Sequence, residues 1–313
     1  MINLAIYIWL PSTIIISLLL ITLILSYVCF KIIFYSKNEE FKEKYPLPPG
    51  REYEVYKDDI IDYMIKTDKL NGMEVTIKSF DGLTLKGKYY ECEKGAPIEL
   101  MIHGYRGDAR RDLSGGVVRA FKHKRNVLLV DNRGSGKSEG HVITFGVNES
   151  KDTLRWIDYI INNINKDAQI ILTGVSMGAA TVLILSSLDL PKNVIGVIAD
   201  CGYTSTKEII KKVIKDLKLP PRILYPFVYL GARLFGKFKP DEFSPIKAME
   251  NSKLPIIFFH GDADSFVPYY MSIENYNKCV SKKHMVNIPG AGHGLCYVKD
   301  PEKYLLELEN FFN

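Results

Sequence analysis

Between residues 98 and 288 the chain repeats one device: a short apolar, β-prone run that stops at a glycine, histidine or aspartate, with helical periodicity between runs. Residues 98–102 stop at His103-Gly104, 126–130 at Asp131, 169–173 at Gly174, 194–199 at Asp200 and 255–259 at His260-Gly261, and 285–288 form the last run. Helical patterns at 108–122, 150–163 and 179–187 separate several of them. Runs that are mostly apolar, not strictly alternating, belong to strands covered on both faces. Strands alternating with helices give a mostly parallel sheet of the α/β class, helices on both sides. Ligands of such sheets bind beyond the strand carboxyl ends, where each run here ends in a polar residue or glycine. Ahead of this region, 73–80 and 83–90 alternate around Asp81-Gly82, the pattern of a hairpin.

The first thirty residues carry no charged side chain, and the apolar run continues past Lys31 to about Phe34. About 20 apolar helical residues cross a bilayer core, so residues 1–36 are expected to form one transmembrane anchor. Tyr7 and Trp9 at one end, with Tyr27 and Tyr35 at the other, suit the two interfaces. A cleaved signal peptide would show a basic start and small residues at a cleavage site, and neither is visible. Lys31, Lys37, Lys42, Lys44 and Arg51 follow the run and no Lys or Arg precedes it, which sets the remainder of the chain in the cytoplasm. Residues 37–72 read as a linker: Tyr45-Pro-Leu-Pro-Pro-Gly50 is a stiff connector, and a short polar helix is expected at 55–67. The formal charge of +5 is too modest to indicate nucleic-acid binding. Five cysteines without CxxC spacing give neither a zinc motif nor a disulfide framework and fit a reducing compartment.

Gly174-Val-Ser-Met-Gly178 lies between an expected strand and a helix opening with Ala179-Ala180. G-x-S-x-G alone is a weak signal; a serine on a sharp strand-to-helix turn is a strong one. The turn lifts the hydroxyl clear of the sheet, and the helix N-terminus behind it offers N–H groups to a developing oxyanion. Ser176 is therefore the candidate nucleophile. A serine hydroxyl needs a base, and His293, in the loop Pro289-Gly-Ala-Gly-His-Gly294 after the last strand, can be aimed back over the sheet. His103 and His260, each before a glycine at a strand end, are read as turn braces. The imidazole in turn needs a carboxylate to hold its tautomer, and His260-Gly-Asp-Ala-Asp-Ser-Phe-Val-Pro268 offers Asp262 and Asp264.

These segments resemble the lipase- and serine-aminopeptidase-like branch of the α/β-hydrolase superfamily. In that branch the stretch after the seventh strand reads H-G-x-x-D-x-x-V-P, which selects Asp264 as the acid, with Asp200 as runner-up. Met101-Ile-His-Gly-Tyr-Arg-Gly107 resembles the family's loop after the third strand, and the resemblance implies an oxyanion hole built from the backbone N–H groups of Tyr105 and Met177. Asp131-Asn-Arg-Gly-Ser-Gly-Lys-Ser138 matches a family loop taken as scaffold. The resemblance covers about residues 73–313 and leaves the anchor outside. It further implies that an insert after the sixth strand, here 201–250, roofs the site as a lid.

That insert holds ten Lys/Arg against five Asp/Glu. Ser205 and Glu208 could form a capping box, after which Ile209, Ile210, Val213, Ile214 and Leu217 share one helical face. The lysines between them are either solvated or rest on anionic lipid beside the anchor. Gly136-Lys-Ser138 comes close to a phosphate-binding loop, but the first glycine of that motif is replaced by Asp131, whose carboxylate repels phosphate. No metal-ligand spacing appears, and neither a metal nor a cofactor is expected. The expectation is a membrane-anchored serine hydrolase acting on an ester, thioester or amide of a small-molecule or lipid substrate. The alternatives are a serine aminopeptidase-like peptidase and a non-catalytic, membrane-tethered binding protein on the same scaffold.

Overall fold

The computed structural model describes residues 2–38 and 41–312, with side chains from residue 11 onward. Tyr7 and Trp9, expected at a membrane interface, lie outside the described side chains. A long helix α1 (Ile2–Ile33) is followed by α2 (Arg51–Glu54) and α3 (Lys57–Asp68). The sheet region then runs β1 (Gly72–Lys78), β2 (Thr84–Tyr90), β3 (Ile98–Ile102), α4 (Ala109–Lys122), β4 (Asn126–Val130), α5 (Val147–Tyr159), β5 (Ile170–Val175), α6 (Met177–Leu185) and β6 (Val194–Asp200). After α7 (Thr206–Asp216), α8 (Pro221–Leu234) and α9 (Pro245–Met249) come β7 (Ile256–Gly261), α10 (Tyr269–Lys278), β8 (Lys283–Ile288), α11 (Cys296–Lys299) and α12 (Pro301–Phe312).

The eight strands form one sheet in the order β1-β2-β4-β3-β5-β6-β7-β8. The expected hairpin is the antiparallel β1–β2 pair, and β2 also runs antiparallel to β4. From β4 through β8 every pairing is parallel. Side chains alternate across this sheet, as the two-residue strand period requires. Leu100, Ile102, Ile256 and Phe258 pack on one face with Trp156, Val182, Leu183 and Met249 from α5, α6 and α9. Met101 joins Leu113 and Val117 of α4 on the other face, where Ile257 and Phe259 meet Tyr304, Leu308 and Phe311 of α12. Both faces are covered, so the strands carry apolar residues at nearly every position.

The insert after β6 forms the helical pair α7–α8, and α9 returns the chain to the face packed by α6. Ser205 caps α7, accepting the Glu208 N–H at 3.2 Å, while the Glu208 carboxylate pairs with Lys211 at 3.7 Å. Only the serine half of the expected box is therefore made. Ile209, Ile210 and Ile214 are buried as the periodicity implies, but Leu217 is 65% exposed because α7 ends before it and the chain turns.

The residues read as anchor and linker do not stand apart from the sheet domain. Residues Pro11–Ile33 of α1 are long and apolar enough to cross a membrane, and most of that stretch is exposed. Its C-terminal end is not: Ser26 is buried, and Phe30 and, just past the helix, Phe34 are buried with Val228, Ala232 and Phe238 of the insert and with Phe145 and Tyr203. Gly231 permits this approach, since a Cβ there would collide with the Ser26 carbonyl oxygen. The linker closes against the body as well. Tyr45 and Leu47 join Tyr53, Ile60 and Met64 in a cluster with Leu295, so the proline-rich stretch is pinned, not free.

Candidate active site

Ser176 occupies the turn between β5 and α6 with φ 57° and ψ −115°. That strained backbone is held from both sides: the Ser176 N–H donates to the Asp200 carbonyl at 2.8 Å, and its own carbonyl accepts from Ala180 N–H at 3.0 Å. The flanking glycines are required by close approach. A Cβ on Gly174 would meet the Gly178 backbone, and one on Gly178 would meet the Ile102 carbonyl of the neighbouring strand. Met177 is the first residue of α6, so its N–H belongs to the helix N-terminus facing the site.

The loop after β8 brings His293 to this serine, with Nε2 2.9 Å from Ser176 Oγ. On its other side His293 Nδ1 lies 2.7 Å from Asp264 Oδ2. Asp264 follows β7, where its Oδ1 accepts the N–H groups of Phe266 at 2.9 Å and Val267 at 2.8 Å. Burial alone would raise the Asp264 pKa, but the hydrogen bonds of His260 and His293 outweigh it and hold the carboxyl well below the ordinary carboxylate range. An ionised Asp264 requires His293 to carry its proton on Nδ1, leaving Nε2 free to accept from Ser176. Asp200, the runner-up acid, is buried at the end of β6 with one carboxylate oxygen unpartnered. Burial pushes its pKa up to about 6. Asp262 is a turn residue, accepting Gly290 N–H at 2.7 Å and Asn287 Nδ2 at 3.2 Å.

His103 braces its turn as expected: Nδ1 lies 2.8 Å from the Gly104 carbonyl, and Nε2 accepts from Asn132 N–H at 3.0 Å. His260 does more than brace. Its Nε2 lies 2.9 Å from the Val267 carbonyl and 3.1 Å from Asp264 Oδ2, so two imidazoles flank one carboxylate oxygen. That contact has no signature in local sequence, because it depends on how the chain curls between 260 and 267.

Gly104 lies against the serine, an added Cβ falling 3.5 Å from the Ser176 Cβ, and its N–H donates to Asp112 Oδ2 at 3.2 Å. The next residues of this loop grip the end of α1. Tyr105 Oη donates to the Ile33 carbonyl at 2.7 Å, and Arg106 Nη2 donates to the carbonyls of Ile32 at 2.6 Å and Tyr35 at 3.1 Å. These are carbonyls that a helix C-terminus leaves without partners. Above the serine opens a cleft of about 830 Å³, walled by Leu47, Glu52 and Tyr53 from the linker, Tyr105, Arg106 and Arg111, and Lys212 and Asp216 of α7.

A cavity of about 890 Å³ lies beyond Arg106, between the end of α1 and the 131–138 loop. That loop is scaffold: Arg133 pairs with Asp152 at 2.7 Å and Asp81 at 2.9 Å, and Ser138 Oγ donates to the Asp131 carbonyl at 2.7 Å. Asp131 itself accepts N–H groups from Ala109 and Lys137, each at 3.0 Å, filling the helix N-terminus that a phosphate would need. Ligand atoms of Cys201, Asp264 and His293 lie within 4.8 Å of one another. Burial pushes the Cys201 thiol well up, however, so it stays protonated, and the other two groups engage each other, a poor set for a metal.

Residues 100–244 match the family described as the alpha/beta hydrolase fold. The Pyrococcus furiosus esterase Pf2001 superposes with a TM-score of 0.65 at 19% identity, over 89% of this chain and 96% of its own. The chain has the α/β-hydrolase fold. An esterase from Exiguobacterium antarcticum shares it at a TM-score of 0.58 and 16% identity, over 76% of this chain and 99% of that chain. Among curated relatives, an uncharacterized Bacillus subtilis protein, YqkD, is 25% identical over 246 residues, 76% of this chain and 78% of its own.

Proposed function

We propose that this α/β hydrolase is a membrane-anchored serine hydrolase that cleaves a carboxylic ester, or a thioester or amide, through an acyl-enzyme. The observation that carries the reading is the unbroken relay from Ser176 Oγ to His293 Nε2 at 2.9 Å and from His293 Nδ1 to Asp264 Oδ2 at 2.7 Å. Ser176 attacks the substrate carbonyl as His293 takes its proton, and Asp264 stabilises the resulting imidazolium. The tetrahedral oxyanion is received by the N–H groups of Met177, at the start of α6, and Tyr105. His293 then protonates the leaving group, and in the second half-reaction it activates water to release the acid and restore Ser176. The names of the two structurally similar esterases favour an ester over an amide.

The exposed part of α1 ahead of Ser26 supplies the anchor in this reading, its buried end staying in the domain, and Lys31, Lys37, Lys42, Lys44 and Arg51 behind it set the catalytic domain in the cytoplasm. A panel of p-nitrophenyl esters of graded acyl length, run beside aminoacyl substrates, tests the reaction class. Turnover of the esters supports the proposal, and turnover confined to aminoacyl substrates overturns it in favour of a peptidase. Cys92, an exposed thiol of the domain, reports the orientation. An impermeant maleimide added to intact cells leaves it unlabelled if the domain is cytoplasmic.

A further inference from the structure

The α7–α8 turn exposes apolar side chains that neither the core nor the cleft accounts for. Leu217 is 65% exposed, Leu219 47% and Ile223 63%, on either side of Pro220-Pro221. The turn that presents them is defined, not loose. Lys218 takes the left-handed conformation at φ 59°, and the N–H groups of Lys218 and Leu219 close on the carbonyls of Lys215 at 2.9 Å and Ile214 at 3.1 Å. Lys215, Lys218 and Arg222 stand exposed around it and make no ion pair with any described residue. An isolated exposed leucine needs no explanation. Three on one ordered turn, ringed by unpaired cations, form the composition of an interfacial membrane contact.

The position of the turn relative to α1 names the occupant. At their contact the two helices run in the same direction: Gly231 lies against Ser26, Phe235 against Tyr27 and Phe30, and Phe238 against Phe34. Ile223 precedes Gly231 on α8, and a rise of about 1.5 Å per residue sets it about 12 Å back along the helix. The same step back from Ser26 reaches about residue 18 of α1. There Leu18, Leu19 and Leu20 are 59%, 59% and 54% exposed, inside the stretch long and apolar enough to span a bilayer. A membrane that encloses this part of α1 meets the turn as well.

We propose that the α7–α8 turn is a second membrane contact, with Leu217, Leu219 and Ile223 entering the acyl region of the leaflet that α1 crosses and Lys215, Lys218 and Arg222 meeting its anionic headgroups. The inference rests on the reading of α1 as an anchor. It also deepens the reading of the site, because Lys212 and Asp216, which wall the cleft, belong to the last turn of α7 immediately before Leu217. The cleft mouth then opens at the bilayer surface, and the substrate class is an acyl ester carried in the bilayer.

The test uses the full chain with Cys92→Ser, reconstituted in phosphatidylcholine–phosphatidylglycerol vesicles. An environment-sensitive fluorophore is attached in turn to Leu219→Cys, Leu19→Cys and Lys192→Cys, the last at the opposite end of the sheet. Nitroxide-bearing lipids are expected to quench the labels at 219 and 19 and to spare the one at 192. Quenching at 19 without quenching at 219 overturns the second contact and leaves the anchor standing. Quenching at neither overturns both. Turnover adds a check on access: Leu217→Ser with Ile223→Ser lowers the rate on an ester embedded in vesicles severalfold and leaves a soluble ester unaffected. Equal rates on the embedded ester overturn delivery from the bilayer.

Discussion

Tyr53 donates its hydroxyl to the carbonyl oxygen of His293 at 2.9 Å, so a residue ahead of the sheet holds the loop that carries the imidazole. Tyr53 is itself buried against Met64 and Leu295. Tyr53→Phe removes one hydrogen bond, worth about 1 kcal/mol, and keeps the ring. If the loop geometry matters most in the transition state, kcat on a soluble ester falls about fivefold with KM little changed. Steady-state kinetics on the purified variant check this, and an unaltered kcat would leave Tyr53 a packing residue only.

The relay predicts an order among three carboxylates. Asp264→Asn removes the acceptor that fixes the His293 tautomer and should lower kcat by roughly 10⁴. Asp262→Asn touches only the turn at Gly290 and Asn287 and should cost little. Asp200→Asn should fall between them, because Asp200 lies under the serine but His293 bonds to Asp264. Comparable losses in all three would leave the acid unassigned.

Asp200 also makes stability depend on pH. Burial raises its pKa to about 6 from an ordinary 3.8, so between these values the folded state binds more protons than the unfolded one. Its contribution is greatest below pH 3.8, declines as pH rises toward 6 and is flat above, a total of roughly 3 kcal/mol. Urea titrations of the detergent-solubilised protein and of Asp200→Asn across this window should show the stability difference, wild type minus variant, shrinking by that amount. A difference that does not vary with pH contradicts the assignment.

The end of α1 is part of the domain's core. Phe34 is fully buried, with ring centroids 5.2 Å from Phe238 and 5.7 Å from Phe145. Phe34→Ala should destabilise the fold by about 3–5 kcal/mol. A chain lacking residues 1–21 should keep its fold, whereas one lacking residues 1–44 should aggregate, having lost Ser26, Phe30 and Phe34 from their contacts. Thermal melts and gel filtration distinguish the two truncations, and a well-behaved chain beginning at 45 would show that α1 only tethers.

What could be read from the sequence follows the range of the interactions. The strands at 98–102 and 126–130 and the turn around Ser176 are local, set by apolar runs and by glycines that leave no room for a Cβ. The candidate triad was legible because each member sits at the end of a strand or in the loop just after one. Tyr53, Asp112 and the grip of Arg106 on Ile32 were not, since each depends on segments meeting across the fold. The position of His260 before a glycine at a strand end forecasts a brace but not its contact with Asp264. The linker follows the same rule: proline and glycine forecast a stiff connector but carry no information on the surface against which Tyr45 and Leu47 pack. Periodicity puts Leu217 on the apolar face of α7 but does not register that the helix stops at Asp216.

Labelling with a fluorophosphonate probe tests the central claim most directly, because such a probe needs both a nucleophilic serine and its base. The full chain in membranes should be labelled at one site, mapped to Ser176 by mass spectrometry. Ser176→Ala should abolish labelling with the fold intact by circular dichroism, and His293→Ala should reduce it by orders of magnitude. Undiminished labelling of Ser176→Ala, or no labelling of the wild-type chain, would contradict the assignment of Ser176, His293 and Asp264 as a catalytic triad.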